Sequence, residues 1–418
     1  MVNSHRWLIG TLAVIALAVA LALIAPMARD SLAADGIIYV DADATGANDG
    51  GTWDHAYTEL QPALAAAVAT DQIWVATGVY TPTQEFSPGD PRSATFQMKN
   101  GVAIYGGFDP SGGDTEWEDR DWEGNETILS GDVGTEGDVS DNVYHVFYHP
   151  AGTNLDGSAI LDGFTITGGH AQPAGPNDHG GGMYNYSSSP SLTNCTFASN
   201  SAFVGGGVYN EGSSPTLSDC TFSGNSAVVW GGGMANRSSS PVLTACTFSG
   251  NSAGEGGGMA NTFSSPTLTH CAFAGNSAGS NGGGMYNGAS SPTLTSCSFE
   301  GNSASQGSGM YNAWVNFVVS SPTLTNCTFA ANSASDYGGG MLSIGGSPVL
   351  TNCTFEGNSA GTSGGGMYNY DAASPALTNS ILWDNVPDQI LNDASTPVIT
   401  YSDIQGGYSG TGNIDADP

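Results

Sequence analysis

Short pairs of apolar residues alternate with polar residues along most of the chain, as in Cys195 and Phe197. This alternation has the period of a β-strand, and each pair is too short for a helix. Leu192 precedes Cys195 by an odd number of residues, so in one straight strand the two side chains would point to opposite faces. We therefore expect the chain to turn a corner between Leu192 and Cys195, so that both side chains reach one interior.

The apolar pairs belong to a repeated unit. Each copy reads approximately S-P-x-L-T-x-C-T-F-x-x-N-S-A, then a variable loop, then G-G-G-M-Y-N. The copies align on prolines that lie 25 to 30 residues apart: Pro190, Pro215, Pro241, Pro266, Pro292, Pro322, Pro348 and Pro375. Units so rich in Gly, Ser, Asn and Thr do not hold pairs of helices, and about 25 residues with three short strands and three turns make one coil of a β-helix. The pattern predicts an all-β fold, a right-handed parallel β-helix solenoid.

Identical positions in successive coils should form columns along the solenoid. We expect three interior apolar columns, which include Leu192, Phe197 and Met183. Two further columns consist of Asn and include Asn185 and Asn200. We interpret these Asn residues as structural, because Asn tolerates the left-handed turn conformation and stacked amides hydrogen-bond along the axis.

The seven cysteines occupy one position of the repeat, one in each coil: Cys195, Cys220, Cys246, Cys271, Cys297, Cys327 and Cys353. Neighbouring coils are about 4.8 Å apart, whereas a disulfide prefers Cβ atoms about 3.8 Å apart. A single column also cannot surround a metal ion tetrahedrally. We therefore predict a column of buried, unpaired thiols that pack as small apolar groups.

Three regions follow from these patterns. Residues 1–34 join a short basic start to an uncharged apolar run, which is typical of a signal peptide or, because of its length, of an N-terminal anchor. Residues 35–158 should form an N-terminal cap and the first irregular coils, with a short capping helix in the Ala-rich stretch 58–70. Residues 159–418 should form regular coils of about 25–26 residues, and since no second cap follows we expect the chain to continue beyond Pro418.

The charge is strongly acidic. The sequence has 38 Asp and Glu against 6 Lys and Arg, a formal net charge of -32, and 23 of the acidic residues lie between Asp35 and Asp162. This balance argues against nucleic acid as a partner and against electrostatic docking on anionic lipid. We therefore expect membrane attachment only through an N-terminal anchor or through a C-terminal anchor beyond this sequence. Carboxylates are ligands for Ca²⁺, so Asp114, Glu116 and Asp119 are candidate Ca²⁺ ligands, and no other cofactor is expected.

Several motifs carry a family resemblance. The F-x-x-N motif at 197–200 and the G-G-G-M motif at 180–183 resemble the repeats of polymorphic outer membrane proteins. The segments 38–49 and 73–80 are similar to the start of bacterial right-handed β-helix proteins of the pectin-lyase-like superfamily. The resemblance implies the fold and a secreted, cell-surface or outer-membrane location. It does not imply one activity, because the superfamily includes lyases, hydrolases, esterases and adhesins.

Candidate binding residues follow the inward Met of each repeat and should point outward: Tyr184, Tyr209, Tyr286, Tyr311 and Tyr368. Such rings can stack on sugars or on a partner's apolar surface. No catalytic pattern is recognised, and Arg237, the one basic residue within the repeats, is interpreted as a solvated turn residue. We therefore expect an adhesin or a protein that binds glycans or other cell-surface components. The alternative is a polysaccharide-processing enzyme, a lyase or glycoside hydrolase with a site in the acidic N-terminal coils, and a purely structural spacer is the third hypothesis.

Overall fold

The computed structural model describes residues 36–172 and 177–418, and Gly36–Pro418 form one compact unit. The predicted signal peptide or anchor lies outside the described residues. Within them, 43 short strands pair in parallel to form four sheets, and no helix is long and apolar enough to cross a membrane.

Sheets 1 and 2 meet at the corner that the Leu192 to Cys195 spacing predicts. Sheet 1 contains, in spatial order, β1 (Ile37–Val40), β2 (Gln72–Ala76), β4 (Ala103–Phe108), β7 (Ile160–Asp162), β11 (Ser191–Thr193), β15 (Thr216–Ser218), β19 (Val242–Thr244), β23 (Thr267–Thr269), β27 (Thr293–Thr295), β31 (Thr323–Thr325), β35 (Val349–Thr351), β39 (Ala376–Thr378) and β42 (Val398–Thr400). Sheet 2 contains β3 (Gly78–Tyr80), β5 (Thr127–Ser130), β8 (Thr165–Thr167), β12 (Thr196–Ala198), β16 (Thr221–Ser223), β20 (Thr247–Ser249), β24 (Ala272–Ala274), β28 (Ser298–Glu300), β32 (Thr328–Ala330), β36 (Thr354–Glu356), β40 (Ile381–Trp383) and β43 (Asp403–Ile404).

Sheets 3 and 4 complete each coil. Sheet 3 contains β9 (His170–Ala171), β13 (Ser201–Val204), β17 (Ser226–Trp230), β21 (Ser252–Glu255), β25 (Ser277–Asn281), β29 (Ser303–Gln306), β33 (Ser333–Tyr337) and β37 (Ser359–Ala360). Sheet 4 contains β6 (Phe147–His149), β10 (Met183–Tyr186), β14 (Val208–Glu211), β18 (Met234–Arg237), β22 (Met259–Thr262), β26 (Met285–Gly288), β30 (Met310–Ala313), β34 (Met341–Ile344), β38 (Met367–Tyr370) and β41 (Ile390–Asp393).

A regular coil therefore has four strands, and the predicted count of three is wrong. The additional strand is the one in sheet 3, which follows the buried Asn and begins with Ser-Ala in most coils. The predicted corner is confirmed: Asn194 has a φ of 50°, and Leu192 and Cys195 on either side of it are both buried.

The α-helix among the described residues, α1 (Leu60–Ala66), lies inside the stretch predicted to be helical and packs against β1 and β2. Its buried residues Leu60, Ala63 and Leu64 cover the end of the core. The described part of the chain also contains three short 3-10 helices, at Trp53–His55, Pro91–Ser93 and Trp117–Asp119.

The predicted interior columns are confirmed. Equivalent Leu, Met and Phe side chains pack on one another in one continuous core. From Phe197 to Phe355, successive rings are almost parallel, with centroids 4.5–5.1 Å apart and interplanar angles of 3–6°. All seven cysteines are buried and unpaired, as predicted, and burial raises the pKa of the Cys220 thiol.

The two Asn columns are hydrogen-bonded ladders. Asn225 donates from Nδ2 to Asn251 Oδ1 at 3.0 Å and to the Phe197 carbonyl at 2.8 Å, so one buried amide joins three coils. In the second ladder, Asn185 donates to Asn210 Oδ1 at 2.9 Å. The expected left-handed conformation of these Asn residues is wrong. It belongs to the preceding residue in the first ladder, such as Gly224 with a φ of 61°, because that turn directs the following amide inward.

A buried histidine begins the second ladder. His149 Nε2 accepts from the Met98 backbone N–H at 3.2 Å, so the ring proton lies on Nδ1, which donates to Asn185 Oδ1 at 2.7 Å. His145 is also buried, 3.0 Å from the Gly180 carbonyl. Burial lowers the pKa of both histidines to about 4.

Loss of one ring from the Phe column should be costly. Phe273→Ala removes a fully buried side chain that stacks on both neighbours, and the cavity should lower the free energy of unfolding by about 3–5 kcal/mol. Denaturant unfolding followed by circular dichroism measures the change. Tyr370→Ala is the matched control, since Tyr370 is 43% exposed, and equal effects of the two substitutions would contradict the interior column.

Stability should fall in mild acid. Histidines in the unfolded chain take up protons near pH 6.5, whereas His145 and His149 in the folded chain stay neutral to about pH 4. The contribution of these two histidines to the free energy of unfolding is therefore fully present above pH 6.5 and is lost as the pH falls from 6.5 toward 4. The melting temperature measured across this range should decline less steeply in His149→Asn, which keeps a donor for Asn185. His270→Asn, at an exposed position, is the control, and its melting temperature should fall with pH as steeply as that of the wild type. If the melting temperature of His149→Asn also falls that steeply, this role of His149 is contradicted.

Candidate functional site

The predicted tyrosines lie on the outer face of sheet 4, but this face is partly covered. Tyr209 and Tyr311 are buried, at 3% and 8% exposure, and Tyr184, Tyr286 and Tyr368 are half-buried. The rings of Tyr209 and Tyr311 lie outside the interior core, as predicted, but residues such as Val204 and Leu342 pack against them. Burial raises the pKa of Tyr209 and of Tyr311 to about 12, so both hydroxyls stay protonated. A ligand-binding role of the column stays a prediction.

The column is interrupted in two consecutive coils. Ala235 and Ala260 pair in register between Tyr209 on one side and Tyr286 on the other. Two missing rings leave a cleft of about 360 Å³, which we call the sheet 4 cleft; it is lined by His179, Val204, Tyr209, Trp230, Ala235, Asn236, Arg237, Ser238, Ala260, Thr262 and Phe263.

Two exposed aromatic side chains line the sheet 4 cleft. Trp230 ends β17, is 44% exposed, and donates from Nε1 to Glu255 Oε2 at 3.0 Å. Phe263, at the corner between sheets 4 and 1, is also 44% exposed and has a φ of 52°. The equivalent position holds Ser238 or Ala289 in neighbouring coils. A bulky, solvent-exposed side chain is unusual in this left-handed conformation, which the equivalent coils fill with small residues, and this points to a role in binding.

Polar groups surround these rings. Arg237 Nη1 is 3.6 Å from Glu211 Oε1, and its side chain is 63% exposed. The His179 ring lies 4.5 Å from the Tyr209 ring, and His179 Nδ1 pairs with the Asp178 carboxylate. The cleft therefore combines aromatic faces with hydrogen-bond donors and acceptors.

Arg237 differs from the other basic side chains that the structure describes. Arg92, Lys99 and Arg120 all donate to backbone carbonyls, and Arg120 also pairs with Asp162 at 2.8 Å with only 3% of its side chain exposed. Arg237, interpreted from the sequence as a solvated turn residue, is indeed solvent-exposed, but it ends the strand β18 and also lines the cleft.

Exposed aromatic residues concentrate around sheet 4. Within residues 36–172 and 177–418, five of the seven lie at the ends of sheet 4 strands or in the segments that follow them: Tyr186, Phe263, Trp314, Phe317 and Tyr370. Trp230 ends β17, the sheet 3 strand before β18, and Tyr401 is the exception. Sequence reasoning missed Trp230 and Phe263 because it followed the repeated positions. The signal that could have found them is their departure from the repeat.

The predicted Ca²⁺ ligands do not converge. Asp114 Oδ2 accepts from Asn125 Nδ2 at 2.7 Å, while Glu116 and Asp119 cap the 3-10 helix Trp117–Asp119. In the described ranges, no three His, Cys, Asp or Glu side chains are placed to hold a metal ion. The predicted site fails because these carboxylates bind local amide and backbone groups.

An acidic groove of about 730 Å³ lies near these residues, between the loop 122–126 and the outer face of sheet 2. Glu123, Glu126 and Asp219 line it together with Trp122, and all three carboxylates belong to exposed residues. Glu126 Oε1 accepts from Thr165 Oγ1 at 2.8 Å.

The fold and its repeats define a class of protein. The chain belongs to the right-handed β-helix family, because the sequence profile described as a right handed beta helix region matches residues 139–254 and 231–382. This match confirms the right-handed parallel β-helix that the sequence predicts, while the resemblance to the pectin-lyase-like superfamily stays a prediction. The resemblance to polymorphic outer membrane proteins stays a prediction.

Solved structures of similar fold include enzymes and a phage protein. Pectate lyase Pel9A is 11% identical, with 90% of this chain and 80% of that chain covered and a TM-score of 0.42. A rhamnogalacturonan lyase is 12% identical, with 88% and 87% covered and a TM-score of 0.37. The tailspike protein of E. coli bacteriophage HK620, in complex with a pentasaccharide, is 12% identical with a TM-score of 0.42; this chain is covered over 83% and spans 62% of the tailspike chain. A comparison with curated protein sequences finds no match.

Proposed function

We propose that this protein is exported, is secreted or displayed at the cell surface, and binds a neutral glycan in the sheet 4 cleft. The observation that carries the proposal is the pairing of two exposed aromatic side chains, Trp230 and Phe263, with a floor of two alanines. Aromatic side chains provide large contact surfaces at low cost in conformational entropy, and a sugar ring presents an apolar face that can stack on them.

The polar groups of the cleft favour an uncharged ligand. Sugar hydroxyls both donate and accept hydrogen bonds, which suits the Arg237 guanidinium and the Glu211 carboxylate. A polyanion would instead meet Glu211 and Glu255 in a chain whose formal net charge is -32, and like charges disfavour such binding.

Binding without cleavage is supported by the contacts of the two carboxylates. Glu255 accepts from Trp230 Nε1 at 3.0 Å and from Asn281 Nδ2 at 2.9 Å. Glu211 accepts from the Tyr209 hydroxyl at 3.4 Å and faces Arg237. Carboxylates held in this way position other side chains and are poorly placed to act as general acids. The basic start and apolar run within residues 1–34 support export.

The acidic groove favours a second candidate, a polysaccharide-processing enzyme. Glycoside hydrolysis uses a pair of carboxyl groups on either side of the bond that breaks, and the groove offers Glu123, Glu126 and Asp219. If this candidate is right, the protein shortens a polysaccharide, and Glu126→Gln abolishes that activity while Trp230→Ala leaves it intact.

Removing either ring should weaken glycan binding. A panel of neutral and acidic polysaccharides tested by affinity electrophoresis, followed by titration calorimetry with oligosaccharides, should reveal a neutral ligand. Trp230→Ala and Phe263→Asn should each weaken it by roughly two- to ten-fold; Asn suits the left-handed backbone at position 263.

Tyr370→Ala is the matched control, since Tyr370 is 43% exposed and is outside the cleft. It should bind as the wild type does. Binding that survives loss of both cleft rings, or depolymerisation that depends on Glu126, would overturn the proposal.

A further inference from the structure

The insertion in the repeat forms an apolar hairpin. Val315 and Val318 exchange two backbone hydrogen bonds of 3.0 Å, with Asn316 and Phe317 at the tip. Phe317 is 93% exposed, and the flanking Trp314 ring stacks on it at 6.0 Å with an interplanar angle of 13°. Val318 and Val319 are 49% and 44% exposed. We call residues 314–319 the apolar hairpin.

The tip is strained as well as exposed. Asn316 and Phe317 have φ values of 51° and 65°, the conformation in which such turns favour Asn-Gly. Asn316 suits it, whereas Phe317 is bulky and contributes nothing to the core. Among the residues that the structure describes, the other phenylalanine with a positive φ is Phe263, which lines the sheet 4 cleft. An exposed aromatic ring on such a backbone is unusual, and the exposure of both rings indicates that they serve contacts outside the folded chain.

The hairpin and the cleft lie on the same face, a short way apart along the solenoid. Thr262, Gly288 and Ala313 occupy successive coils in register. Phe263 follows Thr262 and the hairpin follows Ala313, so the two are about 10 Å apart along the axis, given about 4.8 Å per coil. Gly288, which has no side chain, occupies the coil between them.

We infer that the apolar hairpin of one copy docks in the sheet 4 cleft of a second copy, forming an antiparallel dimer. The twofold axis of this dimer lies in the plane of the shared face near Gly288 and is perpendicular to the solenoid axis. Rotation about it exchanges the position of the hairpin with the position of the cleft. It therefore places each hairpin against the partner's cleft, and the contact closes on itself instead of growing into a filament. The hairpin carries no charge, and it would meet the exposed Trp230 and Phe263 rings.

The distribution of charge favours this orientation. Of the 38 acidic residues, 23 lie between Asp35 and Asp162, at the N-terminal end of the solenoid. An axis near Gly288 places the acidic coils of the two copies at opposite ends of the dimer. A parallel pair would bring them together, and like charges that face each other oppose association.

The inference rests on the same cleft as the proposed function but does not require that a glycan binds there. If both are right, the hairpin and the glycan compete, so a neutral oligosaccharide that binds the cleft should shift the dimer toward monomer.

Sedimentation equilibrium of the full chain over a range of concentrations tests the dimer. The wild type should dimerise, and the double variant Trp314→Ser, Phe317→Asn should weaken association by at least about ten-fold, as expected for two interface aromatics. Trp230→Ala should weaken it as well, whereas Tyr370→Ala should not. Thermal unfolding should show that the double variant keeps the wild-type fold, because Asn suits the left-handed position 317.

The outcomes separate this inference from the proposed function. A wild-type chain that stays monomeric, or a double variant that associates as the wild type does, overturns the dimer. Binding of the monomer to phosphatidylcholine vesicles, lost in the double variant, overturns it in favour of a lipid surface. A dimer that forms while no glycan binds supports the inference and contradicts the proposed function; the double variant should bind glycan at least as well as the wild type.

Discussion

The register between coils depends above all on the buried Asn ladders. An amide inside a β-helix loses its hydrogen bonds to water, and leaving it unpaired costs about 1–3 kcal/mol. Asn225 meets this constraint by bonding to one coil through the Phe197 carbonyl and to the next through Asn251. A coil displaced by one residue would leave such amides unpaired at once. The ladders therefore fix which side chains stack, and the Leu, Phe and Met columns follow from that alignment.

A fixed register also determines the outer surface. Every side chain that points outward from sheet 4 lies beside its equivalents in the coils before and after, so a change at one repeat position has a local and predictable effect. Replacing two tyrosines with Ala235 and Ala260 opens a cleft between Tyr209 and Tyr286. The same regularity makes Trp230, Phe263 and the apolar hairpin conspicuous, since none of them recurs. The repeated positions form the core and the sheets, and the candidate binding surfaces lie where the sequence departs from the repeat.

The sequence was sufficient for features that repeat and insufficient for those that do not. The corner after Leu192, the interior columns and the unpaired thiols followed from periodicity, and the helix Leu60–Ala66 followed from the Ala-rich composition of its stretch. The strands of sheet 3 were missed because β13 and its equivalents share no strong pattern beyond Ser-Ala. The covering of Tyr209 by residues such as Val204 could not be predicted, because these residues are its neighbours in space and not in the repeat pattern. The Ca²⁺ prediction failed for a related reason, since composition cannot show that Glu116 and Asp119 cap a turn.

The most direct test of the account is to fill the gap in the tyrosine column. Ala235→Tyr, Ala260→Tyr restores the residue that Tyr209 and Tyr286 carry at the equivalent positions, so the fold should remain intact and the rings should occupy the cleft. The decisive measurement is calorimetric titration of this variant with the neutral oligosaccharide that the wild type binds, after circular dichroism has shown an unchanged fold. The account predicts that binding is lost. Binding of wild-type strength would contradict it, because the cleft could not then be the site.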